Sequence, residues 1–204
     1  VVKKNYNFKT VTPEDSKLHT DLTELMDKLP LKDGMVISFH HHLRNGDYVL
    51  NLVMEEIAKR GYKDITIAAS SIFPCHKPLV EMIEKGIVTQ IYAGYMSGPV
   101  AQAISEGKMQ KPAVMHTHGG RARIMETGEV EVDIAFVAAP TSDEYGNING
   151  VDGKSACGAL GYAHSDVENA KLVVAITDNL VPYPNTTIEI NQTLIDYVLV
   201  VDAI

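Results

Sequence analysis

A chain of 204 residues with 18 basic and 26 acidic side chains, net charge −8, can bury a full core without a metal or disulfide staple. The acidic balance, with no local basic cluster, argues against a nucleic-acid backbone or an anionic membrane surface as the main partner. Cys75 and Cys157 are too few and too far apart for a disulfide framework; no apolar run spans a bilayer and no leader pattern is present, so a cytoplasmic protein with reduced thiols is expected.

In chain order, Thr12-Pro13-Glu14-Asp15 reads as a helix start, and Leu18, Leu22, Leu25 and Leu29 continue at helical spacing until Pro30. Residues 1–34 are thus expected to be a lead-in with one helix, and 35–204 one α/β domain. Met35 to Phe39 is the first buried strand. Asp47 then caps a helix from about Tyr48 to Arg60, stopped by Gly61. Ile65 to Ala69 is the second strand, and Lys77 to Lys85 a short helix before strand Ile87 to Tyr92. Pro99 to Glu106 is a helix before strand Ala113 to Thr117. Val132 to Ala139, Leu172 to Thr177 and Tyr197 to Val201 bring the expected strands to about seven.

Several of these runs are continuously apolar, the pattern of parallel strands covered by helices on both faces. In such sheets ligands collect beyond the carboxyl ends of the strands. The chain lacks an initial methionine and closes on a strand-like run, which leads us to expect a piece of a longer protein.

Three segments follow strands and carry reactive side chains. The first is His40-His41-His42-Leu43-Arg44-Asn45-Gly46-Asp47. Histidines two apart in an extended chain share a face, so His40 with His42, and His116 with His118, have the spacing of metal-binding arms. Three adjacent histidines cannot all face one ion, and no carboxylate or thiolate completes the set. They read as hydrogen-bonding loop residues, with no metal. The second segment is His116-Thr117-His118-Gly119-Gly120-Arg121, where adjacent glycine amides suit an anion or oxyanion and Arg121 offers a bidentate fork. The alternative is a Gly-Gly turn with a surface arginine. The third, Thr141 to Gly150, contains Asp143-Glu144 as an acid/base or nucleophile pair, beside Gly146-Asn147; a plain turn is the stronger reading there. No P-loop, dinucleotide fingerprint or nucleophile elbow occurs.

Together, DGMVISFHHHLRNGDYVLNLVMEEIAKRG at 33–61, HTHGGR at 116–121 and DIAFVAAPTSDEYGNINGVDGKSACGALGYA at 133–163 resemble the citrate lyase alpha-subunit family, the citrate CoA-transferase branch of the CoA-transferase superfamily. The resemblance runs from about Leu31 to the end. It implies an open, mostly parallel sheet flanked by helices, with a second similar domain following in the longer chain. It also implies a transferase exchanging acetate for citrate on a carrier thioester. The thiol would be a dephospho-CoA-type prosthetic group on a separate acyl carrier (gamma) subunit, with CoA or acetyl-CoA as possible substitutes and no cofactor bound by this chain. A beta subunit would cleave the citryl thioester within an oligomeric complex.

Where many superfamily members carry a glycine-rich loop after the first strand, this chain has HHHLRNG, so those glycines' role does not transfer. The citrate lyase branch proceeds without a covalent enzyme–CoA step, so Glu144 is not assigned as nucleophile on that ground. Arg44 and Arg121 are expected to bind citrate carboxylates, and Gly119 and Gly120 to present amides. His41, His42 or His118 would donate hydrogen bonds and, with Glu144, are the candidates for a catalytic role, no one catalytic residue being assigned. His116 joins the substrate-binding set, and Asp143, Glu144 and Asn147 would shape the thioester side. The rival readings are citramalate CoA-transferase, a sugar-phosphate isomerase or deaminase on the same fold, a metal-dependent hydrolase, and an inactive ligand-binding half-domain.

Overall fold

The computed structural model describes residues 16–40, 43 and 45–204. Its frame is an eight-stranded parallel sheet, and each strand is one of the apolar runs of the sequence or a short addition at an edge. In chain order the elements are β1 (Leu18–His19), α1 (Leu22–Lys28), β2 (Val36–His40), α2 (Val49–Lys59), β3 (Ile65–Ala69), α3 (Leu79–Glu84), β4 (Val88–Ala93), α4 (Gly98–Ser105), β5 (Val114–Met115), α5 (His118–Glu126), β6 (Ile134–Ala139), β7 (Thr141–Asp143), β8 (Ile148–Asn149), α6 (Ala163–Asn169), β9 (Leu172–Thr177), β10 (Leu180–Val181) and β11 (Tyr197–Val200). The large sheet runs β1-β11-β9-β6-β2-β3-β4-β5, and a small second sheet runs β10-β7-β8.

Alternation along each strand divides the core. Ile37 and Phe39, Ile65 and Ile67, Ile134 and Phe136, and Val174 and Ile176 pack with α1, α2 and α3 on one face. Ala68, Ala135, Val137, Val173 and Ala175 pack with α5 and α6 on the other. The first face carries large side chains and the second mainly Ala and Val. This makes three layers, with β2 near the centre and every strand of the large sheet ending on the same edge.

All seven expected strands are present, and the parallel α/β architecture is as read from their continuous apolarity. An eighth, β1, was hidden within the expected first helix. Leu18 and His19 pair with Val198 and Leu199, and α1 begins only at Leu22, because the Asp21 carboxylate accepts the Glu24 N–H at 3.0 Å and caps it there. The proposed helix start at 12–15 lies outside the described residues. Leu25 and Met26 enter the main core, so the lead-in helix is part of the same packed unit as the sheet. Gly61, at φ +81°, closes α2 as expected. The HTHGGR segment is not a turn; it opens α5. Among the described residues, no helix is long and apolar enough to cross a membrane, and no group of three or more His, Cys, Asp or Glu is placed to hold a metal ion.

Candidate functional site

The carboxyl edge of the sheet is extended by backbone hydrogen bonds past the strands: Ser70 N–H to Phe39 O, Gly94 N–H to Ser70 O, and His116 N–H to Ala93 O, at 3.1, 3.1 and 3.2 Å. This carries the start of α5 to the edge. Thr117 caps the helix, its hydroxyl accepting the Gly120 N–H at 3.0 Å, and its carbonyl takes the Arg121 N–H at 2.9 Å. The His118 and Gly119 N–H groups are left in the first turn, at the positive end of the helix. His118 and Gly119 are exposed, and the His118 ring sits 6.0 Å from Tyr162 across the gap to α6.

Arg121, one turn further along, points inward. It is 3 % exposed, and its fork grips Asp166 of α6 through two 2.6 Å bonds, Nη1 to Oδ2 and Nη2 to Oδ1; Nη2 also donates to the Ala68 carbonyl at 3.2 Å. The Ser38 hydroxyl donates to Asp166 Oδ1 at 2.6 Å, and His40 Nδ1 lies 3.4 Å from Oδ2. Burial alone would raise the Asp166 carboxyl. The Arg121 charge and hydrogen bonds, with His40 beside it, reverse this and hold it well below the usual carboxylate range. The expected role of the Arg121 fork in gripping a substrate carboxylate therefore meets a fork already filled by an internal carboxylate.

His116 is half-buried. Burial lowers its imidazole below the ordinary value, against the opposing hydrogen bond to the Thr117 carbonyl, and the nearby Arg121 charge adds to the lowering. Its Nε2 is buried without a partner. The Gly120 amide, expected to face an anion, is taken by Thr117, so of the two glycine amides only that of Gly119 stands ahead of the helical ladder.

The third segment folds as the turn its composition favours. β7 and β8 form a hairpin closed by the buried Asp143 carboxylate, whose Oδ1 accepts the Tyr145 and Asn147 N–H groups, both at 3.0 Å. Its Oδ2 accepts the Asn147 Nδ2–H at 2.8 Å and the Asn185 N–H at 3.0 Å. Asn147 Oδ1 in turn accepts the Gln192 N–H. Asp143 and Asn147 are thus filled from within, while Glu144 is exposed beside them. Gly150 is required by close approach: a Cβ there would stand 2.0 Å from the Gly158 carbonyl oxygen. His41, His42 and Arg44 lie outside the described residues.

The edge therefore brings together the second segment and the end of β2, through Asp166. Asp166, Ser38 and the pairing role of His40 escape a reading by motif. One signal was visible: Ser38 and His40 are the polar members of an apolar strand and fall on one face.

A glutaconate coenzyme A-transferase from Acidaminococcus fermentans superposes on 91% of this chain and 75% of its own at TM-score 0.64 and 14% identity, which defines the fold class as that of the CoA-transferases. The family model for citrate lyase, alpha subunit (CitF), matches residues 15–204, and the chain belongs to that family. The citrate lyase alpha chain of Escherichia coli (strain K12) is 46% identical over 190 residues, 93% of this chain and 37% of that protein. A citrate lyase alpha subunit from Streptococcus mutans, solved in complex with citrate, is 52% identical at TM-score 0.93, over 98% of this chain and 39% of that one. The chain spans less than two fifths of the length of these relatives.

Proposed function

We propose that this chain forms part of a citrate:acetyl-carrier transferase, in which acetyl thioester plus citrate gives citryl thioester plus acetate. The observation that carries the reading is the 0.93 TM-score, at 52% identity, to a relative solved with citrate. The reaction needs an anionic substrate held beside a thioester whose carbonyl oxygen gains negative charge. The start of α5 suits that need: its dipole and the His118 and Gly119 N–H groups favour an anion, and the His118 side chain adds a donor. His41, His42 and Arg44 are proposed, from sequence, to complete the carboxylate contacts. Asp143 and Asn147 act by holding the hairpin, and Glu144 is assigned no covalent role.

The thioester is carried as substrate by a dephospho-CoA-type group on a gamma (acyl carrier) subunit, with acetyl-CoA as a substitute. A beta (citryl lyase) subunit consumes the product, in an oligomeric complex in the cytoplasm. The test is thioester exchange with acetyl-CoA and citrate, run on the full-length chain with its carrier and on residues 1–204 alone. Citrate-dependent release of acetate without a trappable acyl-enzyme supports the reading. Absence of exchange in the full-length chain, or a covalent intermediate in which Glu144 carries the acyl group, overturns it.

A further inference from the structure

The buried polar cluster between α5, α6 and β2 is poorly explained as a device for stability. Taking two charges out of water costs several kcal/mol per ion, and well-packed apolar residues of similar volume often serve as well or better. The core on this face is otherwise apolar, with Ala68, Ala135 and Val137 from the sheet and Ile124, Met125 and Val167 from α5 and α6, so an apolar solution lay close at hand. What the ion pair supplies is direction. Arg121 lies one turn from His118, and its guanidinium is fixed at both terminal nitrogens by Asp166, with Nη2 held again by the Ala68 carbonyl. The same carboxylate takes the Ser38 hydroxyl and lies beside His40, the last residue of β2 before the His41–Gly46 segment.

We propose that Asp166, acting through Arg121 and His40 and steadied by Ser38, is a positioning residue that sets the first turn of α5 and the exit of β2 relative to each other at the transfer site. It touches neither citrate nor thioester. The proposal rests on the transferase reading for its kinetic consequence, but its structural claim stands on the bonds themselves. Displacing donors at a reacting centre by about 1 Å is enough to cost about 100-fold in rate.

The experiment uses the full-length chain with its carrier. Three variants are compared: Asp166→Asn, the apolar pair Arg121→Met with Asp166→Leu, and Ser38→Ala. Each is read by melting temperature, by kcat and citrate KM, and by amide hydrogen exchange of residues 118–121 against those of β6 and β9. The apolar pair is expected to stay folded while kcat/KM for citrate falls about 10- to 100-fold and residues 118–121 exchange faster than the sheet. If that pair fails to fold, Ser38→Ala carries the test, with a fall of about 3- to 10-fold at an unchanged sheet. Wild-type kcat/KM together with wild-type exchange at 118–121 in a folded variant overturns the proposal. If the wild-type enzyme itself shows no thioester exchange, the transferase reading fails. The positioning claim is then decided by hydrogen exchange alone: faster exchange at 118–121 sustains it and unchanged exchange overturns it.

Discussion

Two aspartates belong to helical segments on opposite faces of the sheet, Asp166 in α6 and Asp47 just ahead of α2, and both are buried, at 0 % and 4 % exposure. Asp166 meets a guanidinium, a hydroxyl and an imidazole, and is held as a carboxylate below its ordinary range, the Arg121 charge outweighing the cost of burial. Asp47 meets the Val49 N–H through Oδ1, while Oδ2 is buried without a partner, and burial pushes its carboxyl up to about 7. Burial is nearly the same in the two places, so the partner decides the charge. The side with α5 and α6 is fully ionised and cross-linked; the side with α2 carries a carboxyl group that changes state near neutrality.

The largest effect should come from breaking the cross-linked side. Asp166→Ala leaves Arg121 charged within the core, with no carboxylate to face. A loss of about 3–5 kcal/mol is expected, as for other buried pairs broken at one partner. Denaturant unfolding of the purified chain measures it, and a loss under about 1 kcal/mol would show that Arg121 finds water or another partner.

The opposite face should respond with the opposite sign. A carboxyl raised in the folded state binds more protons there than in the unfolded chain between its ordinary value and about 7. Its contribution is therefore fully present below about pH 4 and is lost as the pH rises through about 7. Asp47→Asn keeps an acceptor for the Val49 N–H and removes the charge. Asn51 Oδ1, one turn along α2, is likewise buried without a partner. The variant is expected to be more stable than wild type at pH 8 by about 1–3 kcal/mol and to lose the slope between pH 4 and 7. A slope that survives the substitution would assign it to another group. Asp166 contributes in the reverse sense: its stabilisation is present above the ordinary carboxylate range and fades only as the pH falls below it.

A smaller cut into the same comparison is Ser38→Ala. Asp166 Oδ1 keeps Arg121 but loses a 2.6 Å donor, and about 1 kcal/mol is expected in unfolding experiments. The matched control on the other face, Asn51→Ala, removes the donor to the Cys75 carbonyl at 2.8 Å together with its own unpartnered oxygen, so its cost should be smaller.

The two faces were also unequally legible. Six of the seven expected strands followed from runs such as Ile134–Ala139 and Leu172–Thr177, because strands covered on both sides need no polar alternation, while of the run at 113–117 only Val114–Met115 pairs as a strand. The α2 side was largely read: Gly61 ends the helix, though its cap position is Tyr48 and Asp47, one residue ahead of it, accepts the Val49 N–H. The α5 side was not. Gly119 and Gly120 lower helix propensity by about 1 kcal/mol each, so a helix opening His118-Gly119-Gly120 looks like a turn. Only Thr117, a good cap, and the apolar pair Ile124 and Met125 hinted otherwise. Arg121 looked like a surface fork because its partner lies 45 residues away on α6, and no local pattern joins them. Leu18 had helical spacing with Leu22 and Leu25, but its backbone found a better partner in β11.

The smallest effect on stability, and the one that separates the fold from the site, belongs to His118. It is exposed, and its ring contact is Tyr162 at 6.0 Å, so His118→Ala should change unfolding free energy by less than about 0.5 kcal/mol. Its backbone N–H remains in place, together with that of Gly119 and the Thr117 cap. If the anion site is built from helix amides alone, citrate KM will hardly move. If the imidazole also donates to a carboxylate, KM should rise while melting is unchanged, by an amount expected for one exposed hydrogen bond to a charged group, about 10-fold. A fall in melting temperature larger than that of Ser38→Ala would contradict that separation of fold from site. The α5 start would then hold the fold together as much as the Arg121–Asp166 pair behind it.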